Sequence, residues 1–324
     1  MDISAEALKH LEVMANRQQK PEVITVDHSS GAQLSFLVTY DGAGGMDAKD
    51  ITSSLERFDE TPRNRKGIAS FETLDSFIDH ANRFQNTNSA LFATKLSDDI
   101  SIQCVVDYHD RVNDLDGEEH ADAKPRHGQH RGRHDFPLSE EYKKWLAISE
   151  RNEPLDTREF SYFLEDNIID VMFLPDFLRP DGKAPETPAD QDLLALIQKL
   201  EGKPCGPEKL MNLAKGLQVN EDTKIKAFYD RNSGQSKIGF ESEHTDAEGN
   251  KLDVPNMFLI SIPVFNGDQH YRIPVRLRYR PRAGTVVWMM ELHRPDIFLE
   301  DAFKLACGKA AKETGLPLFY GNPE

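Results

Sequence analysis

Hydrophobic residues change their spacing at about residue 217, and this change constrains the fold more than any other feature of the sequence. The middle of the chain before it (153–216) has apolar residues at helical intervals, and the earlier, mixed region also contains such segments, as in "SFETLDSFIDHANRF" (70–84). After it, apolar and polar residues alternate, which is typical of strands with one buried face. Five segments share this alternation: "TKIKAFYD", "SKIGFESEH", "MFLISIPVF", "HYRIPVRLRYR" and "TVVWMMELH". Short turns join them, so the pattern predicts an antiparallel meander.

The whole chain is predicted to have an α+β architecture with three regions. Residues 1–152 form a mixed α and β region with an exposed, histidine-rich loop at 107–134. Residues 153–216 are helical, and 217–324 form the antiparallel sheet followed by a C-terminal helix. This last helix is expected to cover the sheet with four apolar residues on one face, namely Ile297, Ala302, Leu305 and Ala306.

Three helix starts are marked by capping residues. Ser139 precedes "EEYKKWLAI", and Thr187 precedes Pro188 at the start of another helical segment. Asp156 and Glu159 have the spacing of a capping box, in which each side chain binds the backbone N–H of the other residue. These residues are preferred at helix N-termini because their side chains accept hydrogen bonds from free backbone N–H groups.

Composition indicates a globular protein with a strongly acidic character. The 324 residues are 38% hydrophobic and carry a net charge of −16, which disfavours non-specific attraction to nucleic acid or anionic membrane. Any site for a polyanion must therefore be local. The N-terminal segment does not resemble a signal peptide, and no apolar run is long enough to cross a bilayer. The three widely spaced cysteines favour a reducing compartment, so we expect a cytoplasmic protein without a membrane partner.

The segment "YRIPVRLRYRPR" (271–282) concentrates arginine in one predicted strand. Alternation places five arginines on one side, here called the arginine face: Arg272, Arg276, Arg278, Arg280 and Arg282. Successive side chains on one side of a strand are about 7 Å apart, close to the phosphate spacing of an extended single strand. Guanidinium groups bind phosphate through paired hydrogen bonds. The pattern therefore predicts a site for nucleic acid or another polyanion.

An alternative interpretation is that the protein neutralises these arginines internally. Glu241 and Glu243 share one face of a predicted neighbouring strand and could form cross-strand ion pairs. Pro274 and Pro281 also favour an edge position or a bulge for the arginine strand. The sequence leaves both interpretations open.

The histidine-rich loop raises the question of a metal site. The closely spaced His127, His130 and His134 are candidate ligands, although solvated histidines that titrate near neutral pH give the same pattern. A related hypothesis is a metal-dependent hydrolase or nuclease that uses Asp107, His109 and His130. No nucleotide-binding or hydrolase motif is present, so we expect no cofactor and a non-enzymatic protein.

Several stretches together resemble the YfdQ-like family of phage and prophage proteins, a domain of unknown function. They are "VVDYHD" (105–110), "HRGRHDFPLSEEYKKW" (130–145), "EFSYFLEDN" (159–167), "IPVFNGDQHYRIPVRLRYR" (262–280) and "GLPLFYG" (315–321). The resemblance covers nearly the whole chain from about residue 22. It implies a phage-encoded protein that acts in the bacterial cytoplasm near replication and recombination functions. The matching positions without an assigned role are Tyr108, His109, His130, Arg131 and Trp145.

Two function classes follow from these observations. The first is an accessory of phage nucleic-acid metabolism that binds single-stranded nucleic acid through the arginine face. The alternative is an acidic interaction module that inhibits or sequesters a host defence or replication protein. The expected partners are therefore single-stranded nucleic acid or a host or phage protein, together with a second copy of the chain in a homo-oligomer.

Overall fold

The structure is a computed structural model, and its described residues form two compact units that divide between Gly67 and Ile68. The described residues are 20–27, 33–40, 45–58, 60–61, 64–96, 99–110, 123–151, 153–214, 220–229, 236–245, 254–282 and 285–323. Helices and strands are both abundant, which confirms the α+β class. The division into three regions at residues 152 and 216 stays a prediction.

The first unit contains a small antiparallel sheet in the order β1-β2-β3. Its strands are β1 (Glu22–Asp27), β2 (Gln33–Tyr40) and β3 (Met46–Asp50), followed by the short helix α1 (Thr52–Leu55) and a 3-10 turn at Glu56–Phe58. Every residue of β1 is exposed, whereas Val38 of β2 is buried.

The second unit begins with a five-stranded sheet in the order β14-β5-β6-β7-β4. The strands are β4 (Gly67–Phe71), β5 (Ala90–Leu96), β6 (Asp99–Val106), β7 (His130–Asp135) and β14 (Leu318–Tyr320). Helix α2 (Leu74–Phe84) contacts β6 and β7, and its N-cap Thr73 accepts a hydrogen bond from the Ser76 N–H. Phe77, Ile78 and Ala81 are the buried residues of α2, as the helical spacing of this segment requires.

A four-stranded sheet in the order β13-β12-β11-β8 carries the arginine segment. Its strands are β8 (Pro204–Cys205), β11 (Met257–Pro263), β12 (His270–Arg282) and β13 (Thr285–Leu292). The helices around it are α3 (Glu140–Ser149), α4 (Thr157–Asn167), α5 (Pro188–Lys199) and α6 (Pro207–Ala214), with 3-10 turns at Ile168–Asp170 and Asp176–Leu178. Helices α3 and α4 contact β13, and the Phe160 ring of α4 stacks on Trp288.

The antiparallel meander is present as β11, β12 and β13, but it does not contain all five predicted strands. The strands β9 (Asn220–Tyr229) and β10 (Ser236–Thr245) pair with each other as a separate two-stranded sheet. Strand β12 is an interior strand between β11 and β13, not an edge strand. Pro274 is compatible with this position because its carbonyl accepts from His293 N, just beyond the last residue of β13. The Pro274 nitrogen, which carries no hydrogen, therefore lies at the end of the pairing between β12 and β13.

The C-terminal helix is α7 (Pro295–Thr314), with Gly315 as a left-handed C-cap at φ 69°. It contacts both α2 and β12, and its buried residues include Ala302, Phe303, Cys307 and Ala310. The predicted Ile297 and Leu305 are instead 43% and 56% exposed. The difference arises because α7 packs against α2 as well as the meander, which turns another side of the helix inward.

One continuous hydrophobic core joins the two larger sheets of the second unit. It includes Ile102 and Cys104 of β6, Phe258 of β11, and Trp288 of β13. Among the described helices, none combines the length and the apolar character needed to span a membrane.

Candidate functional site

The alternation of β12 has the predicted orientation. Ile273, Val275 and Leu277 are buried in the core, whereas the arginines between and beyond them face the other side. Arg272, Arg278 and Arg280 are exposed, and Arg276 is half-buried. The side chain of Arg282 lies outside the described residues.

Two of the described arginine side chains on this face form ion pairs. Arg272 Nη1 is 2.6 Å from Asp190 Oδ1 of α5, and Arg278 Nη2 is 3.1 Å from Glu291 Oε2 of β13. Because both side chains of the Arg278–Glu291 pair are well exposed, this pair adds little to stability and can be exchanged for another anion, whereas the Asp190 side chain is only 14% exposed. Arg276 and Arg280 form no ion pair with a carboxylate of the described residues.

The proposed internal partners Glu241 and Glu243 do not lie on a strand next to β12. Their strand, β10, pairs with β9, whereas β12 lies between β11 and β13. Glu291 is the neighbouring-strand carboxylate, and its Cα pairs with that of Arg276. The alternation of "TVVWMMELH" predicts this partner. It places the buried Met290 and Leu292 on one face of β13 and Glu291 on the other face.

The histidine motif "HRGRHD" forms β7, with His130, Gly132 and His134 on the side of α2. A Cβ at Gly132 would lie 3.0 Å from His80 Nδ1, so glycine lets α2 approach the strand closely. His130 packs against His80 and Phe84, with ring centroids 5.1 and 5.0 Å apart. His134 is four residue steps along the strand from His130, a separation of about 13 Å, which is too far for a shared metal ion.

The other candidate metal ligands and catalytic groups are held by local contacts. His127 is exposed, and His109 Nδ1 accepts from the Arg126 N–H at 3.1 Å. Asp107 Oδ1 accepts from Asn86 Nδ2 at 2.9 Å, and Asp110 pairs with Arg126. Within the described ranges, no group of three or more His, Cys, Asp or Glu side chains is arranged to hold a metal ion. Residues 111–122 of the predicted loop, which include His120, lie outside the described residues.

The remaining motif positions have structural contacts. Tyr108 packs edge-on against Phe92, with ring centroids 5.1 Å apart. Arg131 donates to the carbonyl oxygens of Gly128 and Pro323, which connects β7 to the C-terminal segment. Trp145 is fully buried, and its Nε1 donates to Asp170 Oδ2 at 2.8 Å.

A cavity of about 380 Å³ lies beside α7 and was not expected from the sequence. We call it the α7 cavity, and its walls come from the start of α2, the end of β7, the turn between β11 and β12, and α7. The polar groups that line it include Asp75, His134, Asp268 and Lys309. Burial raises the pKa of Asp268 above the usual value for a carboxyl group. No local motif marks this cavity, because its walls come from distant segments of the chain.

Comparison with known proteins places the chain in a family without assigning an activity. No curated protein and no solved structure matches it. The family model described as an uncharacterized conserved protein (DUF2303) matches residues 5–323. Because the match spans nearly the whole chain, this protein belongs to the uncharacterized conserved family DUF2303.

Proposed function

We propose that this protein binds single-stranded nucleic acid through the arginine face of β12, as a non-enzymatic accessory of phage nucleic-acid metabolism. The observation that carries the proposal is the exposure of Arg278 and Arg280 on the face that also carries the half-buried Arg276. The resemblance to the YfdQ-like phage family supports the phage setting and a bacterial cytoplasmic location.

Electrostatics favour an extended and local contact with phosphate groups. The chain carries a net charge of −16, so a nucleic acid can approach only where cations are concentrated. Arg276 and Arg280 have no ion pair with a described carboxylate, and the exposed Arg278–Glu291 pair can open at small cost. Successive arginines about 7 Å apart can each meet one phosphate of an extended strand.

The aromatic groups of β12 do not take part in this contact. Tyr279 lies on the opposite face, where its ring is 5.9 Å from that of the buried Trp288. Without base stacking, the predicted binding rests on phosphate contacts and should show little sequence preference.

The test is an electrophoretic mobility shift with labelled single strands over a series of salt concentrations. Combined replacement of Arg276, Arg278 and Arg280 by glutamine should weaken binding by about tenfold or more. Loss of three phosphate contacts should also reduce the slope of log affinity against log salt by about 2. Unchanged affinity in this variant would refute the proposal.

A matched control removes the same charge from other exposed positions. Arg158, Arg179 and Arg294 are exposed in the same unit but lie outside β12. Their combined replacement by glutamine should leave affinity close to that of the parent protein, apart from a small effect of net charge. Equal losses in both triple variants would indicate a general charge effect instead of a defined site.

A protein partner is the second candidate function. Ile169 and Phe173 are 91% and 70% exposed, and exposed apolar side chains of this size are common in protein interfaces. The exposed Glu165, Asp166 and Asp176 lie close to them in sequence, which suits a partner with a basic and apolar surface. Replacement of both apolar residues by serine should then abolish capture of one basic host protein without changing the mobility shift.

A further inference from the structure

The α7 cavity has the size and the mixed lining of a small-molecule site. Its volume of about 380 Å³ falls in the range of ligand pockets, which combine apolar walls with a few convergent polar groups. All of its walls belong to the second unit. None of the described side chains of the arginine face lines it, so the inference is independent of the proposed function.

Asp268 contributes a polar oxygen without a partner. Its Oδ1 accepts from the Gln269 N–H at 2.7 Å, whereas Oδ2 is shielded from solvent and has no hydrogen-bond partner in the part of the chain that the structure describes. Tyr271 also forms a side-chain hydrogen bond with this carboxyl group, which lowers the pKa of Asp268, but among the described residues Oδ2 itself has no partner at normal hydrogen-bond geometry. A shielded oxygen without a donor is unfavourable, so a ligand that supplies an N–H group would be stabilised there.

His134 contributes a second acceptor. Its side chain is buried, and Nδ1 lies 3.0 Å from the carbonyl oxygen of Phe71. A carbonyl oxygen only accepts hydrogen bonds, so Nδ1 carries a proton, and in the corresponding neutral tautomer Nε2 has a lone pair that can accept a hydrogen bond. Asp268 and His134 thus both favour a ligand that donates hydrogen bonds.

The charges that line the cavity favour a cation over an anion. Lys309 is already paired with Asp75, with Nζ 2.6 Å from Oδ1. The second carboxylate, Asp268, also lies near Lys309, so among the described lining residues two carboxylates share one lysine. An anionic ligand would have to compete with Asp75 for Lys309, whereas a cationic ligand would compensate the charge of Asp268.

The apolar walls indicate that such a cation has an apolar body. Phe136 and Phe265 line the cavity with ring centroids 5.2 Å apart, and Leu74 lies nearby in its wall. Leu305 also lines it, which gives a role to an apolar residue that is largely exposed on α7. Aromatic and aliphatic walls favour a flat or branched hydrocarbon group over a strongly hydrated ion.

We propose that the α7 cavity binds a small organic cation, an amine or amidine with an apolar body, whose N–H groups donate to Asp268 and His134.

The probe for this proposal is benzamidine, with benzamide and benzoate as compounds of the same shape but different charge. Titration of the full chain by calorimetry or ligand-observed NMR should show benzamidine binding at millimolar or lower concentration. The affinities for benzamide and for benzoate should each be lower by at least about tenfold, a difference in binding free energy of about 1.4 kcal/mol. The proposal fails if benzamidine does not bind at millimolar concentration, or if benzoate binds as tightly.

Two variants separate loss of the site from loss of folding. Asp268→Asn keeps the shape of the side chain but removes its charge, so benzamidine affinity should fall about tenfold. Ala306→Phe should fill the cavity from α7 and block binding while both acceptors remain. Asp166→Asn, an exposed position on α4, is the matched charge control and should bind benzamidine like the parent protein. Melting temperatures close to that of the parent would show that the variants are folded, and unchanged affinity in Asp268→Asn and Ala306→Phe would overturn the assignment.

Discussion

The buried hydrogen bond between Trp145 and Asp170 is the clearest case in which two single side chains stabilise the folded protein. Both residues are buried, and burial raises the pKa of Asp170 while the indole N–H lowers it. The Trp145 ring also packs edge-on against Phe163, with centroids 5.0 Å apart. The motif position Trp145 thus has a structural role, because it provides the donor that a buried carboxyl group requires.

We therefore expect Trp145→Phe to destabilise the protein by about 2–4 kcal/mol, since it removes this donor and part of the core packing. Urea unfolding followed by circular dichroism would measure the change. Asp170→Asn is the matched control, because its amide oxygen can still accept from the indole N–H, and its loss should be clearly smaller. Equal losses in the two variants would argue against the importance of the hydrogen bond.

The packing of α2 on β7 depends on a pair of histidines. His80 lies against Phe71, Phe84 and His130, and neither His80 Nδ1 nor His130 Nε2 has a hydrogen-bond partner within the described residues. Burial lowers the pKa of His80 below 6.5, and the nearby His130 and Arg83 lower it further. A proton on His80 is therefore less favourable in the folded protein than in the unfolded chain.

This pKa shift predicts a loss of stability in mild acid. Because the folded pKa is lower, the unfolded chain binds more protons as the pH falls below about 6.5, and the free energy of unfolding decreases. His80→Phe should keep the aromatic packing and reduce this decrease between about pH 7.5 and 5.5. Urea unfolding at each pH would measure it, with the exposed His127→Gln as control. If His80→Phe and the parent protein show the same slope, the coupling is absent.

Local sequence accounts well for where the helices start. Ser139 and Thr187 each accept a hydrogen bond from a backbone N–H of the first turn, and Asp156 and Glu159 form the predicted capping box. These features are predictable because each depends on residues within one helical turn. The buried side of α7 is not predictable in the same way, because it depends on the position of α2, more than 200 residues away in the chain.

The largest unit of the molecule is built around one core that joins its two larger sheets. Residues of β6, β11, β13 and α7 all contribute to it. A continuous core favours a single cooperative unfolding transition, because neither sheet can lose its packing without exposing the other. The core therefore links the α7 cavity and the arginine face in one folding unit.

A chain shortened to begin at Arg65 should accordingly fold and unfold in one transition. The second unit starts at Ile68, and the described residues of its core cluster all belong to this unit. Coincident unfolding curves from near-ultraviolet circular dichroism and tryptophan fluorescence would confirm this expectation. Two separate transitions, or a shortened chain without fixed tertiary structure, would contradict it.

Local sequence patterns were sufficient to predict the α+β class, the caps of three helices and the two faces of β12, because each of these features depends on residues that are close together along the chain. The partners of β12, the carboxylates beside its arginines and the α7 cavity were not predictable in this way. They bring together residues such as Asp75, Asp268 and Lys309, which are far apart in the sequence. Such contacts depend on how whole strands and helices pack around the core, and that packing is set by the summed burial of many side chains rather than by any short motif.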